Sequence, residues 1–364
     1  MKLTSSTLAL ILAASLAAPV ARADSDAPAP YMERSELAAA TAGIRALEVD
    51  NSRGWVRLTP SADGRLHVVA TKVCRMPGRN EARNLAAATT VETGQSDGRY
   101  FVRVQYPRRI ESRVNFWDLF SSHGRHGLHM PVLEVRLEIQ APAGLPARIA
   151  TTSGDIAARG MSGELKLSSA SGDVEAADAR GPVDAGSTSG DVTLRGVASA
   201  HAHTASGDVS VDGAGALEAS TVSGDVTVSG AREALLLETA SGDIVVTDAP
   251  AGVRAHTVSG EVVLRGACGH VDANTASGDI RARLRAPLQD AKLTSVSGEI
   301  ELTMVAGVGA TIAARSISGS IDCQVPVTVL AHDHNSLDAR IGKGGAPVRL
   351  ETASGNVNIM SGGN

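Results

Sequence analysis

From about residue 150 onward the chain alternates apolar and polar side chains in short runs of period two, and one tetrapeptide, Ser-Gly-acid-aliphatic, interrupts the runs again and again. It stands first at Ser153-Gly154-Asp155-Ile156 and returns at Ser171, Ser189, Ser206, Ser223, Ser241, Ser259, Ser277 and Ser297, with degenerate copies at Ser318 and Ser354. Successive glycines from Gly154 to Gly278 lie 18, 18, 17, 17, 18, 18 and 18 residues apart; the next gaps are 20 and 21, and Gly319 to Gly355 spans 36. Before each glycine the order is aliphatic-x-Ala-x-Thr-x-Ser, as in Leu217, Ala219, Thr221 and Ser223; after the acid it is aliphatic-x-aliphatic, as in Val226 and Val228. Side chains on a strand point alternately to opposite faces, so such runs read as strands with one buried face. Self-similarity at this period is the mark of a stacked repeat.

The pattern predicts an all-β parallel β-solenoid of about eleven 18-residue coils over residues 151–364, each coil two short strands and a corner. The repeated corner residues are taken as structural: the glycines Gly154, Gly172, Gly190, Gly207, Gly224, Gly242, Gly260, Gly278 and Gly298, and the acids Asp155, Asp173, Asp191, Asp208, Asp225, Asp243, Glu261, Asp279 and Glu299. The glycines are expected to supply a positive φ at the reversal, which Gly adopts without a Cβ penalty. The acids are expected to accept hydrogen bonds from turn amides, and the inward Thr and Ser to bond neighbouring coils, as buried hydroxyls must. The 36-residue gap reads as two periods with one eroded corner. A half-period copy at Ser162-Gly163-Glu164-Leu165 suggests two similar halves per coil.

The first third has a different texture. All eight aromatic residues, from Tyr31 to Phe120, lie there. A long segment lacking aromatics must bury small side chains in a narrow interior. Residues 45–150 are expected to form an N-terminal β region, with strands at 46–50, 54–59, 65–73, 99–106 and 132–140, a short helix around 81–88, and an insert at 107–130. Residues 24–44 read as leader and linker. At the start, Lys2, the apolar run Leu8 to Ala18 and Ala21-Arg22-Ala23 have the form of a signal peptide over 1–23, which implies an extracytoplasmic protein, periplasmic or at the cell surface. No stretch reaches the roughly 20 apolar residues a membrane-spanning helix needs.

With these elements in hand, the runs Leu47-Glu-Val-Asp-Asn-Ser-Arg-Gly-Trp-Val and Val135-Arg-Leu-Glu-Ile-Gln-Ala-Pro-Ala-Gly, followed by repeated Thr-x-Ser-Gly-Asp-Val units, resemble the DUF4097 β-strand repeat family over residues 45–360. The resemblance implies an adhesin-like protein with no assigned reaction. The insert and the irregular last coils depart from the family pattern.

Charge narrows the partners. The formal net charge is −5, and −7 once Lys2 and Arg22 leave with the signal peptide, so the basic footprint of a nucleic-acid binder is absent. Three groups of residues invite chemistry. The stacked corner acids would repel one another, and a divalent cation would relieve that repulsion; capping of turn amides is the competing reading and the one adopted. The insert carries Phe116, Trp117 and Phe120 as candidate partner contacts, beside His123, His126 and His129, whose spacing suits a metal only on a helix that Gly124 and Gly127 oppose. His201 and His203 with His256, and His332 with His334, read as exposed histidines on a solvated face. Cys268 and Cys323 fall at different phases of the repeat, which favours buried thiols over a bridge. No catalytic motif, cofactor site or metal site is assigned, because a Ser-Gly-Asp that recurs in every coil marks architecture.

The expected function is thus a non-catalytic exported scaffold of the cell envelope with an adhesin-like surface, whose partner is a macromolecule or glycan. A carbohydrate-active β-helix enzyme and an envelope-stress regulatory component are the alternatives.

Overall fold

The computed structural model describes residues 30–76, 78–107, 132–305 and 307–362. The predicted signal peptide and the insert aromatics Phe116, Trp117 and Phe120 lie outside them. The chain divides into two compact units, one up to Met161 and one from Ser162. Among the described residues it is all-β apart from one helix, Arg79–Ala87.

In the second unit two parallel ladders form. The first stacks the strand that precedes each Ser-Gly-acid corner: Leu165–Ser169 pairs Pro182–Ser187, which pairs the second half of Val192–Thr204, and so on through Leu235–Thr239 and Gly252–Thr257. The second stacks the strand that follows the corner, from Val174–Ala177 through Val226–Ser229 and Ile244–Ala249. Alternation decides the faces: Leu217, Ala219, Val226 and Val228 are buried, as are their equivalents in neighbouring rungs. Burying each Val or Leu contributes about 1.5–3 kcal/mol, and each contact is repeated by the rung above and below.

The corner is held by three interlocking rows. Buried Thr and Ser hydroxyls of this unit donate to the carbonyl oxygen of the corner glycine in the adjacent rung: Ser187 to Gly172 at 2.9 Å, Thr221 to Gly207 at 3.0 Å, Thr257 to Gly242 at 3.1 Å and Ser295 to Gly278 at 3.0 Å. The same hydroxyl oxygen accepts from the glycine amide of its own rung, Gly190 to Ser187 at 2.9 Å and Gly224 to Thr221 at 3.2 Å. The carboxylates of Asp173, Asp191, Asp208, Asp225, Asp243 and Asp279 accept the amide of the acid in the next rung: Asp191 N–H to Asp173 Oδ1 at 2.9 Å, Asp225 to Asp208 at 2.9 Å and Asp243 to Asp225 at 2.8 Å, for example.

The reason for the corner glycines differs from expectation. None of Gly154, Gly190, Gly207, Gly224, Gly242, Gly260, Gly278 and Gly298 has a positive φ. They are glycine because of close approach: a Cβ on Gly242 would run into the carbonyl of Gly224, and one on Gly260 into that of Gly242. Left-handed backbone occurs at the opposite corner, where the second strand turns back into the first, at Asp178, Gly196, Gly213, Gly230, Asp248 and Gly266. Asp tolerates that conformation better than most residues, which is why Asp and Gly share this row.

The 36-residue gap is also not an eroded corner. Ala346–Ser354 pairs in parallel with Ile280–Ser297 on one side and with Ala310–Ser318 on the other, and Val357–Gly362 lies between Ile300–Val305 and Ile321–Cys323 in the same way. The last rung in sequence is therefore the penultimate rung in space. Residues 327–341 fold back as an antiparallel pair, Val327–Asp333 with Ser336–Ile341, against the outer edge of Ala310–Ser318. This covers an edge that would otherwise offer unpaired backbone groups.

A corner row records the insertion. The residue between Thr/Ser and Ser-Gly reads, in spatial order, Ala170, Thr188, Ala205, Val222, Ala240, Val258, Ala276, Val296, Ala353 and Ile317. Small and β-branched side chains alternate without a break; in sequence order the alternation fails at Ile317 and Ala353.

The first unit repeats the arrangement at its own scale. Ala46–Asn51 is flanked in parallel by Arg99–Gln105 and Ala147–Thr151, and Val56–Pro60 by Val132–Ala141 and Ile156–Arg159. Here Asn51 occupies the threonine position. Its amide donates to Gly54 O at 3.1 Å and Val135 O at 2.8 Å, and its Oδ1 accepts from the Tyr106 hydroxyl at 2.9 Å. Antiparallel strands cover the edge: Leu66–Arg75 on Val132–Ala141, and Tyr31–Ala39 on Leu66–Arg75. Tyr31–Ala39 is thus an edge strand inside the segment expected as leader and linker. The helix Arg79–Ala87 packs Ala82 against Cys74 and Leu133, and Lys72 ties it down through Ala86 O at 2.9 Å and Glu33 at 3.0 Å.

Candidate functional site: a trough on the first ladder

The outward face of the first ladder carries two rows of side chains, and their sizes make a trough. The row that begins the strands is small: Pro182, Ser199 and Ala216 stand in register, Ala234 precedes Leu235 as Ala216 precedes Leu217, and Gly252 follows. The next outward row is long and mixed in charge: Lys166, Asp184, His201, Glu218, Leu236, Arg254 and Asp272, each paired with the next. Small residues form the floor and the long row forms a wall. The trough crosses successive rungs and has a volume of ≈ 850 Å³.

The wall is knit by local ion pairs. His201 Nδ1 lies 3.5 Å from Glu218 Oε2, and Arg254 Nε lies 3.6 Å from Asp272 Oδ2. All four are substantially exposed, so each pair contributes little to stability and is available to a partner. Two residues beyond His201 on the same strand, His203 also points outward, with its ring centroid 5.5 Å from that of His201. Its ring lies over Gly186, where any side chain would displace it.

The residues singled out from sequence separate into two groups. From Gly172 and Asp173 onward the corner glycines and acids sit where the first ladder hands over to the second, and their polar atoms are used within the stack. Glu261 is the informative variant: its amide still bonds Asp243 at 2.7 Å, while its longer carboxylate pairs with Arg281, which also lies 3.3 Å from Asp279 and 3.5 Å from Glu301. Glu261 foremost raises the pKa of that guanidinium. The trough was not singled out. Its signal was present in Ser199, Ala216, Ala234 and Gly252, but only the pairing register places them side by side.

The family model for Toastrack DUF4097 matches residues 137–213 and 198–360. The chain belongs to the Toastrack DUF4097 family. No curated protein matches it. Solved structures similar to this Toastrack chain include a protein from Bacteroides fragilis NCTC 9343 called a "putative adhesin", at 16% identity, covering 75% of this chain and 97% of that one, with a TM-score of 0.40. Another, from Parabacteroides distasonis ATCC 8503, is called a "putative lipid binding protein", at 17% identity, 74% and 94% coverage and a TM-score of 0.36. A third, from Clostridium sporogenes ATCC 15579, is called a "putative cell adhesion protein", at 10% identity, 92% and 100% coverage and a TM-score of 0.23. No helix among the described Toastrack residues is long and apolar enough to cross a membrane.

Proposed function

We propose that this chain is a non-catalytic, adhesin-like scaffold of the cell envelope that holds an extended segment of a polypeptide partner in the trough of its first ladder. The observation that carries the reading is the division of labour in the repeat. Ser, Thr and acid side chains and the glycine backbone at the corner are bonded within the stack, whereas the long row Lys166 to Asp272 faces outward beside an apolar floor. Charges of both signs along one wall suit a polypeptide carrying both signs. The absence of any aromatic after Phe120 removes the stacking platforms that sugar rings favour.

The test is capture of isolated envelope fractions by the immobilised chain and by Ala234→Trp, which fills the floor at an exposed position. Protease-sensitive capture by the wild type, lost in the variant with an unchanged melting temperature, is the expected result. Capture that survives protease but not glycosidase treatment would replace the polypeptide with a glycan. Turnover of a polysaccharide panel would replace the scaffold with an enzyme.

A further inference from the structure

We propose that Asp184, His201 and His203 form a surface site for a first-row transition-metal dication such as Zn2+. One ligand atom from each of the three lies within 4.8 Å of the others, and among the described residues this is the one such group. Three features of the fold assemble it. His201 and His203 flank buried Ala202 on a single strand, so period two sends both rings to the same face. Parallel pairing sets Asp184 opposite His201 on the preceding rung, 17 positions earlier in sequence. Gly186, opposite His203, removes the side chain that would occupy the space of its ring, and His203 Nδ1 then stands 4.0 Å from Asp184 Oδ1.

The donor set selects the ion. Two imidazole nitrogens and a carboxylate oxygen suit Zn2+, Ni2+ or Cu2+ and not the oxygen-preferring Ca2+ or Mg2+. Zinc takes such donors at about 2.0–2.2 Å, so the three must draw in around it, which exposed side chains do by rotation about χ1 and χ2. Glu218, 3.5 Å from His201 Nδ1 on the next rung, is placed to orient that ring and leave Nε2 for the metal, as carboxylates do behind metal-bound histidines. Three protein ligands leave an open position for water or a partner's donor. None of the next three rungs reproduces this: the same two outward positions hold Glu218 and Ser220, then Leu236 and Glu238, then Arg254 and His256. The site does not depend on the trough reading, because the ion needs no partner to bind.

The experiment is calorimetric titration of Zn2+ into the chelator-stripped full chain and into five variants, with the melting temperature of each checked. One equivalent is expected for the wild type. His201→Ala and His203→Ala should each weaken it about tenfold or more, the lower bound for loss of a group that ligates or orients, and their double variant should lose the equivalent. His256→Ala, at an outward position three rungs on, should bind as the wild type does. The fifth variant replaces His123, His126 and His129 by Ala and should also retain the equivalent. Absence of a stoichiometric site in the wild type, unchanged binding in the His201/His203 double variant, or loss of binding in the variant lacking the three insert histidines would each overturn the assignment.

Discussion

Thr352 donates its hydroxyl to the carbonyl oxygen of Gly298 at 3.0 Å, across 54 positions of sequence. The same bond in the regular rungs spans 14 or 15 positions, as from Thr204 to Gly190 and Thr239 to Gly224. Chemically nothing distinguishes the two cases, since the corner recognises a hydroxyl and a glycine carbonyl one rung apart whatever chain joins them. A rung supplied out of order is therefore held as firmly as one supplied in order. Asn356 shows the same substitution of parts, its Oδ1 accepting the Ser320 amide at 3.0 Å where other rungs use a carboxylate.

Truncation after Gly345 follows from this directly. It removes Val348, Leu350, Val357 and Ile359, all buried, each worth about 1.5–3 kcal/mol. It also leaves Ala310–Ser318 without its parallel neighbour. Limited proteolysis should cut within 307–345 in the truncated protein and leave that segment intact in the full chain. Equal resistance in the two would show that the last rung is not internal.

The two glycine rows predict opposite responses. Gly242→Ala drives a Cβ into the Gly224 carbonyl, a backbone atom fixed by its own hydrogen bonds. The expected cost is about 3 kcal/mol or more, the upper end for overpacking. Gly230→Asp copies Asp178 and Asp248 at the equivalent left-handed position and should cost about 1 kcal/mol or less. Chemical denaturation of both variants checks the order. If the two costs were reversed, close approach would be ruled out as the reason for the corner glycine.

Thr221→Val keeps the shape of the side chain and removes its hydroxyl. Gly207 O loses a donor and the Gly224 amide loses an acceptor, both at a buried corner. Leaving such groups unsatisfied costs about 1–3 kcal/mol. Thr221→Ser, which keeps the hydroxyl as Ser187 and Ser295 do, should recover most of the loss in the same denaturation measurement.

The rungs themselves were legible in the sequence because Leu217, Ala219 and Thr221 have only one way to be buried together, on one face of a strand. What spacing along the chain could not reveal was the neighbour. A rung at 346–362 fits against any other that offers the same hydroxyl and carbonyl, so the gap before Gly355 looks like decay until the pairing is known. Gly242 was misread because glycine answers two demands, positive φ and close approach. The residues that separate them, Asp178 and Asp248 in the other row, lie at the less conspicuous corner. His201 and His203 were visible as an outward pair. Asp184 joins them only through the register of a 17-residue rung, and the trough floor of Ser199, Ala216 and Ala234 is hidden in the same way. The insert residues Phe116, Trp117 and Phe120 lie outside the described residues and remain a sequence expectation for partner contact.

The three cysteines give the last prediction. All are free thiols: Cys74 and Cys268 are buried and Cys323 is partly exposed. Burial against Ala82 of the helix and Leu133 raises the pKa of Cys74 above the ordinary thiol value, so the fold favours its neutral form. Iodoacetamide, which consumes thiolate, should label Cys323 first and Cys74 last in the native protein, and peptide mapping reads the order. The pH dependence has a definite sign. A thiol whose pKa is higher folded than unfolded contributes stability that is fully present below the unfolded pKa and lost as pH rises through the folded one. The stability of the wild type relative to Cys74→Ala should therefore be constant near neutrality and decline in alkaline solution. A difference that grows with pH would mean that the thiolate, not the thiol, is the form this packing prefers.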